Sequence, residues 1–231
     1  MPQNYILHIE TATEQCSVAL SDGTDLIDAI SVQEGFKHNE NLMGFVQNLL
    51  QKSNLNFNNL SGIAVSSGPG SYTGLRIGVS SAKGLCYALS IPLIAVDTLQ
   101  IMALEASKKL KADVYLPMID ARRMEVYSAC YNALFQHFSF RAPLVMDADK
   151  AKEIAGELEG KRVAYFGNGA DKLIDLFKHF HHFIYLPDIV PQAESMILPA
   201  FEAYQNQHFC DLAYFEPEYL KPFYTNHPAG T

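Results

Sequence analysis

The feature that most constrains the fold of this chain is the glycine-rich stretch Ser66-Ser-Gly-Pro-Gly-Ser-Tyr-Thr-Gly-Leu-Arg-Ile-Gly78, which follows an apolar strand predicted at 62–66. The residues after it have helical periodicity. A glycine inside a helix costs about 1 kcal/mol relative to alanine, so Gly74, Gly78 and Gly84 need a compensating gain. A strand, a glycine-rich loop and a helix in this order predict an α/β unit whose backbone closely approaches another group.

The identity of that group stays open on the sequence alone. Gly68 and Gly70 lie where a loop enters a helix, and free amides there can bind an anion. However, the spacing is one residue off the dinucleotide fingerprint, and no Gly-Lys-Ser/Thr of a P-loop follows. Alternatively, Gly74, Gly78 and Ala82 recur every four residues and form a small-residue stripe. Such a stripe can face another helix of a partner or pack inside its own chain.

Composition narrows the class of protein. The 231 residues are 48% hydrophobic and 18% charged, as in soluble domains, and a net charge of −8 without a basic stripe argues against tight nucleic-acid binding by this chain alone. The four cysteines match no zinc or redox spacing, so we expect buried free thiols. Neither a secretory signal nor a membrane span is visible, so we expect a cytoplasmic protein with no membrane contact.

A strand, a hairpin, further strands and helices occur twice along the chain, which predicts two related α/β lobes. We place the lobes at 1–105 and 106–231, without a flexible linker, and allow the last helix to pack back on the first lobe. Leu42, Phe45 and Leu49 mark an amphipathic helix with Asn39 as a cap. Strands are predicted at 5–10, 91–96, 113–119, 124–132, 138–142 and 163–166, and helices at 98–109, 148–158, 170–180 and 195–207.

Four motifs carry a resemblance to a known family. They are Ile9-Glu-Thr-Ala-Thr13, the stretch from Gly68 to Gly78, Ile119-Asp-Ala-Arg-Arg123 with Glu125-Val-Tyr127, and Pro217-Glu-Tyr-Leu220. Together they resemble the TsaB (YeaZ) family, which takes part in making N6-threonylcarbamoyladenosine in bacterial tRNA. The resemblance implies an actin/Hsp70-like (ribonuclease H-like) α/β fold of two lobes, with mixed sheets flanked by helices.

The resemblance also implies a non-catalytic subunit that binds and activates the transferase TsaD, with an ATPase, TsaE, docking on the pair. It implies a homodimer when TsaD is absent, and tRNA contact only through the complex. ATP and metal are expected in the partner subunits and no cofactor in this chain. The implied interface consists of Leu42, Phe45 and Leu49 on one helix, and Ser71, Tyr72, Gly74, Leu75, Gly78 and Ala82 on and before the next.

The alternative is an ATP-binding or metallopeptidase-like enzyme of the same fold. Nucleotide-binding members of the fold carry a glycine in the first hairpin, whereas this chain has Glu10-Thr-Ala-Thr13, and Glu10 stands where the family has an aspartate. The catalytic relative binds a metal through His-x-x-x-His. In this chain the residue four positions after His38 is Leu42, so no metal site is predicted.

Three further features of the sequence lie outside the implied interface. Gly68 and Gly70, with Gly167 and Gly169, are possible remnants of a nucleotide loop, although 167–169 also reads as a plain helix entry. Asp120, Arg122 and Arg123 predict a turn held by a local Asp–Arg contact. The histidines His8, His179, His181 and His182 are expected to be structural.

Overall fold

The structure, a computed structural model, describes residues 3–33 and 38–220, with only the backbone of 38–40. Its first sheet has the strand order β3-β2-β1-β4-β5. The strands are β1 (Tyr5–Glu10), β2 (Gln15–Asp22), β3 (Asp25–Gln33), β4 (Leu60–Ser66) and β5 (Leu93–Val96). β1, β2 and β3 form an antiparallel meander, while β4 and β5 continue parallel to β1.

The second sheet repeats this arrangement in the order β8-β7-β6-β9-β10. Its strands are β6 (Val114–Asp120), β7 (Glu125–Asn132), β8 (His137–Val145), β9 (Val163–Phe166) and β10 (Phe183–Leu186). β6, β7 and β8 are antiparallel, and β9 and β10 run parallel to β6. Two mixed sheets of the same topology confirm the predicted fold class.

Helices cover both faces of each sheet. They are α1 (His38–Lys52), α2 (Tyr72–Leu89), α3 (Thr98–Lys109), α4 (Ala148–Glu157), α5 (Ile174–Phe177) and α6 (Ile197–Gln205). α1 and α2 share a core with one face of the first sheet, and α6 packs on its other face. α4 and α5 cover the second sheet on one side. No helix of the described residues is long and apolar enough to cross a membrane.

α3 lies between the two sheets and joins them. Its Ile101 belongs to the core of the first sheet, whereas Leu99 and Met102 pack with Tyr115 and Phe166 of the second. The helix begins with Asp97 as its cap, which accepts the backbone N–H of Leu99 at 2.7 Å and that of Gln100 at 3.1 Å. The predicted lobe boundary at 105 falls inside this helix and stays a prediction.

The region after β9 differs from the sequence prediction. The helix predicted at 170–180 is a 3-10 turn, Asp171–Leu173, followed by the single turn α5, and the strand β10 was missed. The Phe177 and Phe183 rings stack with centroids 4.8 Å apart, so the aromatic residues pack with one another and the chain turns back into a strand. The helix predicted at 195–207 begins as the 3-10 turn Ala193–Met196 and continues as α6. The predicted cap Asn39 lies outside the described side chains.

Candidate functional site

The glycines at the start of α2 are needed because residues 11 and 12, which follow β1, lie against the helix backbone. Ser71 caps the helix by accepting the N–H of Gly74 at 3.2 Å, and its own N–H donates to the Ala12 carbonyl at 2.6 Å. A Cβ added at Gly70 would lie under 3.0 Å from the Ala12 carbonyl oxygen, and one at Gly74 equally close to that of Thr11. The backbone of residues 11 and 12 therefore occupies the space that side chains would need.

The next turn of α2 continues this contact. The Thr11 hydroxyl donates to the Gly74 carbonyl at 2.8 Å, and a Cβ at Gly78 would clash with the same hydroxyl. Gly74, Gly78 and Ala82 are buried. The small-residue stripe therefore packs inside its own chain, which is one of the two alternatives that the sequence left open.

Several other residues of the predicted interface also lie in the core. Leu42, Leu49 and Leu75 are at most 1% exposed, while Phe45, Ser71 and Tyr72 are half-buried. The assignment of all nine residues to a partner interface stays a prediction. Their burial means that any partner of α1 and α2 has to contact other positions first.

The positions that α1 and α2 do present to solvent form what we call the outer helix face. It comprises Met43, Gly44, Gln47, Asn48, Gln51 and Lys52 of α1, and Thr73, Arg76, Ser80, Gly84, Tyr87 and Ala88 of α2. The two helices contact each other. Tyr87 is 79% exposed, and a Cβ at Gly44 or Gly84 would have no atom within 4 Å. These two helix-interior glycines therefore lack a reason inside this chain.

The loop that contains Gly68 and Gly70 uses its amides within the chain. The N–H of Ser67 donates to Val96 at 2.8 Å, that of Gly68 to the Thr98 hydroxyl at 3.2 Å, and a Cβ at Gly68 would meet the Glu218 carbonyl at 2.6 Å. An anion site needs free N–H groups. The contacts of this loop give the remnant nucleotide interpretation no support.

Gly167 and Gly169 are explained in the same way by β6. Gly167 has φ +97°, and a Cβ there would lie 2.5 Å from the Met118 carbonyl and from the Met102 methyl group. The N–H of Gly169 donates to Met118 at 2.9 Å. Thr98 of α3 accepts the N–H of Gly68, and Met102 of the same helix lies against Gly167, so the first two turns of α3 contact both glycine loops.

Residues 206–220 lack regular structure and lie across α2. The Lys83 ammonium donates to the carbonyls of Ala213 and Phe215 at 3.3 and 2.9 Å, and Arg76 donates to the Tyr219 hydroxyl at 3.3 Å. The N–H of Glu218 donates to Ser67 at 2.7 Å. The motif at 217–220 is thus a docking segment for the glycine loop, a role that the sequence did not reveal.

An ion cluster joins this tail to both sheets. Arg141 of β8 donates to Asp97 at 2.6 Å and makes a two-point contact with Glu218, whose second bond measures 2.7 Å. Burial raises the pKa of Asp97, against the opposing effect of the Arg141 charge. Asp97 caps α3, so one guanidinium ties the start of α3, β8 and the tail together.

Two fully buried ionisable groups lie on β1. Glu10 accepts the N–H of Ala12 at 2.6 Å through Oε1, and its Oε2 has no hydrogen-bond partner among the described residues. Burial raises the pKa of Glu10 to about 7, although the Ala12 amide and the Ser66 hydroxyl favour its charged form. His8 bonds the Ser21 hydroxyl at 2.9 Å through Nε2, and burial lowers its pKa to about 3. Between pH 4.5 and about 7, Glu10 is neutral in the folded chain although an exposed glutamate is charged. Between pH about 3 and 6.5, His8 is neutral although an exposed histidine is charged.

The turn between β6 and β7 contains the predicted contact and a further ion pair. The predicted local contact between Asp120 and Arg122 is present through the backbone, since the Asp120 carboxylate accepts the Arg122 N–H at 3.2 Å, and the same carboxylate also pairs with Lys172, which the sequence did not predict. Arg122 and Arg123 have φ values of +72° and +50°. Among the described side chains, no three His, Cys, Asp or Glu residues group closely enough to hold a metal ion. The side chain of His38 lies outside that set.

Comparison with known proteins gives matches that cover most of the chain. The E. coli (strain K12) tRNA threonylcarbamoyladenosine biosynthesis protein TsaB is 34% identical over 224 residues, covering 94% of each chain. The crystal structure of a Pseudomonas aeruginosa protein with similarity to peptidase YeaZ has a TM-score of 0.81 at 25% identity, and covers 94% of this chain and 100% of that one. The activator of 2-hydroxyisocaproyl-CoA dehydratase from Clostridium difficile, with bound ADPNP, has a TM-score of 0.54 at 10% identity and covers 88% and 97%, so it shares the fold alone.

A protein-family model described as TsaD, tRNA N6-adenosine threonylcarbamoyltransferase, matches residues 34–179. That range runs from the segment before α1 to the residues after α5, and so includes α2, both glycine loops and the turn between β6 and β7. The full-length match to the E. coli protein is the more specific of the two findings. The chain therefore belongs to the TsaB family of tRNA threonylcarbamoyladenosine biosynthesis proteins, within the wider group that the TsaD model describes.

Proposed function

We propose that this chain is a non-catalytic subunit of the complex that makes N6-threonylcarbamoyladenosine, and that it binds the transferase TsaD and makes it competent. The family membership supports the pathway. The observation that carries the binding role is the outer helix face, where Gly44 and Gly84 have open space above them. A glycine inside a helix costs about 1 kcal/mol relative to alanine, and close approach of a partner helix would offset that cost.

The position of the face suits a protein partner. Tyr87 is 79% exposed on α2, and Tyr214 of the adjoining tail is 85% exposed. Exposed tyrosines are frequent anchors of protein interfaces because they combine a large apolar ring with a polar tip. The tail contacts α2 through Lys83, so its conformation borders the proposed interface.

The remaining parts of the proposal follow from the same assignment. The same helix face would support a homodimer when TsaD is absent, and the ATPase TsaE would dock on the heterodimer. ATP, metal and most of the tRNA contact would then belong to the partner subunits, and the complex would act in the cytoplasm. The alternative of an ATP-binding or metallopeptidase-like enzyme is less favoured, because amides of both glycine loops are bonded to carbonyl and hydroxyl groups of this chain.

Bulky side chains on the outer helix face test the binding role. Gly44→Leu and Gly84→Leu place a side chain in open space, so the fold should be kept while a partner helix is pushed away. The matched control is Gly156→Leu, on α4, because that glycine also has no atom within 4 Å of a Cβ. Binding of purified TsaD is measured by calorimetry, and modified nucleoside formed by the reconstituted enzymes is measured by mass spectrometry.

We expect the two interface variants to weaken TsaD binding at least about tenfold, or 1.4 kcal/mol, and to reduce product in proportion, while Gly156→Leu matches the wild type. Equal binding by all the variants would show that the outer helix face is not the interface. Product at the wild-type level when this chain is omitted would overturn the proposed function itself. Micromolar binding of ATP to the isolated chain would favour the enzyme alternative.

A further inference from the structure

The turn between β6 and β7 places two adjacent arginines in an unfavourable backbone conformation. Arg122 and Arg123 have φ values of +72° and +50°, in the left-handed region where side chains other than asparagine and glycine are disfavoured. Both residues are exposed. A turn selected only for stability would carry Asn or Gly here. The arginine side chains therefore serve a purpose other than the stability of this chain. Strained backbone positions of this kind often occur at binding sites.

Lys172 stabilises the turn through three contacts of its ammonium group. Its ammonium donates to the carbonyls of Arg123 at 2.7 Å and Glu125 at 2.8 Å, and it pairs with the Asp120 carboxylate. The N–H of Asp120 in turn donates to the side chain of Asn168 at 2.9 Å. The Asp120 carboxylate is thus already paired with Lys172, and the same ammonium binds two carbonyls of the turn.

The two guanidinium groups are available for binding. Neither Arg122 nor Arg123 has a side-chain hydrogen bond or ion pair within the described part of the chain. Arg76 and Arg141, in contrast, are engaged by Tyr219 and by Asp97 with Glu218. A guanidinium presents a planar fork of donors that matches the oxygens of a phosphate or carboxylate in a two-point contact.

We infer that the tip Arg122–Arg123 binds the phosphate backbone of the tRNA when this chain is part of the modification complex. This inference rests on the proposed function, which brings the chain next to a tRNA. Phosphate contacts position a nucleic acid and need only exposed, well-placed cations, and the tip offers two of them. Met124, next to the tip, is 42% exposed, and its carbonyl accepts the N–H of Met146 at 2.7 Å, while Val145, 67% exposed, lies opposite Glu125 across the β7–β8 pair.

The contact is local, in keeping with the net charge of −8 of the whole chain. An acidic chain does not steer RNA towards itself over long distances. Two arginines on a preformed turn can still fix the register of an RNA that the complex has already captured. The tip lies beside Asn168, at the end of the second sheet where both glycine loops meet α3.

The test compares two double variants in the complex with purified TsaD. Arg122→Asn with Arg123→Asn removes both charges, and asparagine tolerates the left-handed conformation, so the fold should be kept. The control, Lys111→Asn with Arg162→Asn, removes two exposed charges near Asp113, at the opposite end of the second sheet. Binding of an unmodified tRNA transcript is measured as a function of salt concentration, and TsaD binding is measured separately.

We expect the tip variant to bind TsaD like the wild type but to bind the tRNA at least about tenfold more weakly at low salt. Each lost phosphate contact lowers the slope of log K against log salt by about 0.7 to 0.9, so the slope should fall by about 1.5. The control should keep both values. The double variant Arg122→Lys with Arg123→Lys keeps both charges but loses the planar guanidinium groups that make two-point contacts. It should bind the tRNA more weakly, with little change in the slope of log K against log salt.

Other outcomes overturn the inference. Unchanged tRNA affinity and slope in the tip variant would show that the arginines do not contact RNA. Loss of TsaD binding in the tip variant alone would show that the turn contacts a protein instead. A wild-type chain that fails to bind TsaD would refute the proposed function, and the inference with it, before any variant is compared.

Discussion

Replacing Glu10 with glutamine should make the stability of this protein less sensitive to pH. Glu10 is fully buried on β1, with Oε1 bonded to the Ala12 amide and no partner for Oε2 in the described structure. Burial raises its pKa from the ordinary 4.5 to about 7. Below pH 4.5 the group is neutral in both the folded and the unfolded chain, so it does not affect the free energy of unfolding through ionisation.

Between pH 4.5 and about 7 the unfolded chain loses the proton first, and the folded state becomes progressively less stable. Because each tenfold change in the acid constant corresponds to about 1.4 kcal/mol, the full effect above pH 7 is about 3 kcal/mol. Glu10→Gln has nearly the same shape and no charge, so this loss is removed. The amide group can still accept the N–H of Ala12.

The measurement is urea unfolding of both proteins at several pH values from 4 to 8. The difference in unfolding free energy between variant and wild type should rise by about 3 kcal/mol across this range, whatever its starting value at pH 4. His8, whose pKa is lowered by burial, is present in both proteins and cancels in the difference. A difference that stays flat with pH would refute the assignment of a raised pKa to Glu10.

Two further predictions concern glycines and the tail. Gly74→Ala should destabilise the fold by about 1 to 3 kcal/mol because its Cβ would clash with the Thr11 carbonyl, whereas Gly84→Ala, in open space on the same helix, should stabilise it by about 1 kcal/mol. Thermal unfolding measures both, and equal effects would contradict the packing described here. Glu218→Gln should lower the free energy of unfolding by only about 1 kcal/mol, since the carboxylate is 47% exposed and Arg141 keeps its ion pair with Asp97. Faster amide exchange confined to residues 206–220 would show release of the tail, and unchanged exchange would argue against its anchoring by Glu218.

The sequence predicted most of the fold, because its strands and helices have strong local patterns. β1, β9 and α3 match the predicted bounds. The failures occurred where tertiary contacts decide. β10 was hidden in an aromatic run whose rings stack on Phe177, and α5 is one turn long because that stacking reverses the chain. No local pattern records that the motif at 217–220 docks on Ser67.

The candidate site shows most clearly what periodicity can and cannot reveal. A four-residue repeat placed Gly74, Gly78 and Ala82 on one face of α2, and the structure keeps them together. The repeat alone does not show which face of α2 is buried. The residue that packs against Gly74 is Thr11, which is 63 residues away in sequence. Once β1 accounts for two helix glycines, the unexplained one is Gly84, which lies off the repeat. A glycine inside a helix that meets no atom of its own chain indicates a partner surface where a second one lies on a contacting helix, as Gly84 and Gly44 do on α2 and α1; Gly156 also meets no atom, but it lies in the last turn of α4.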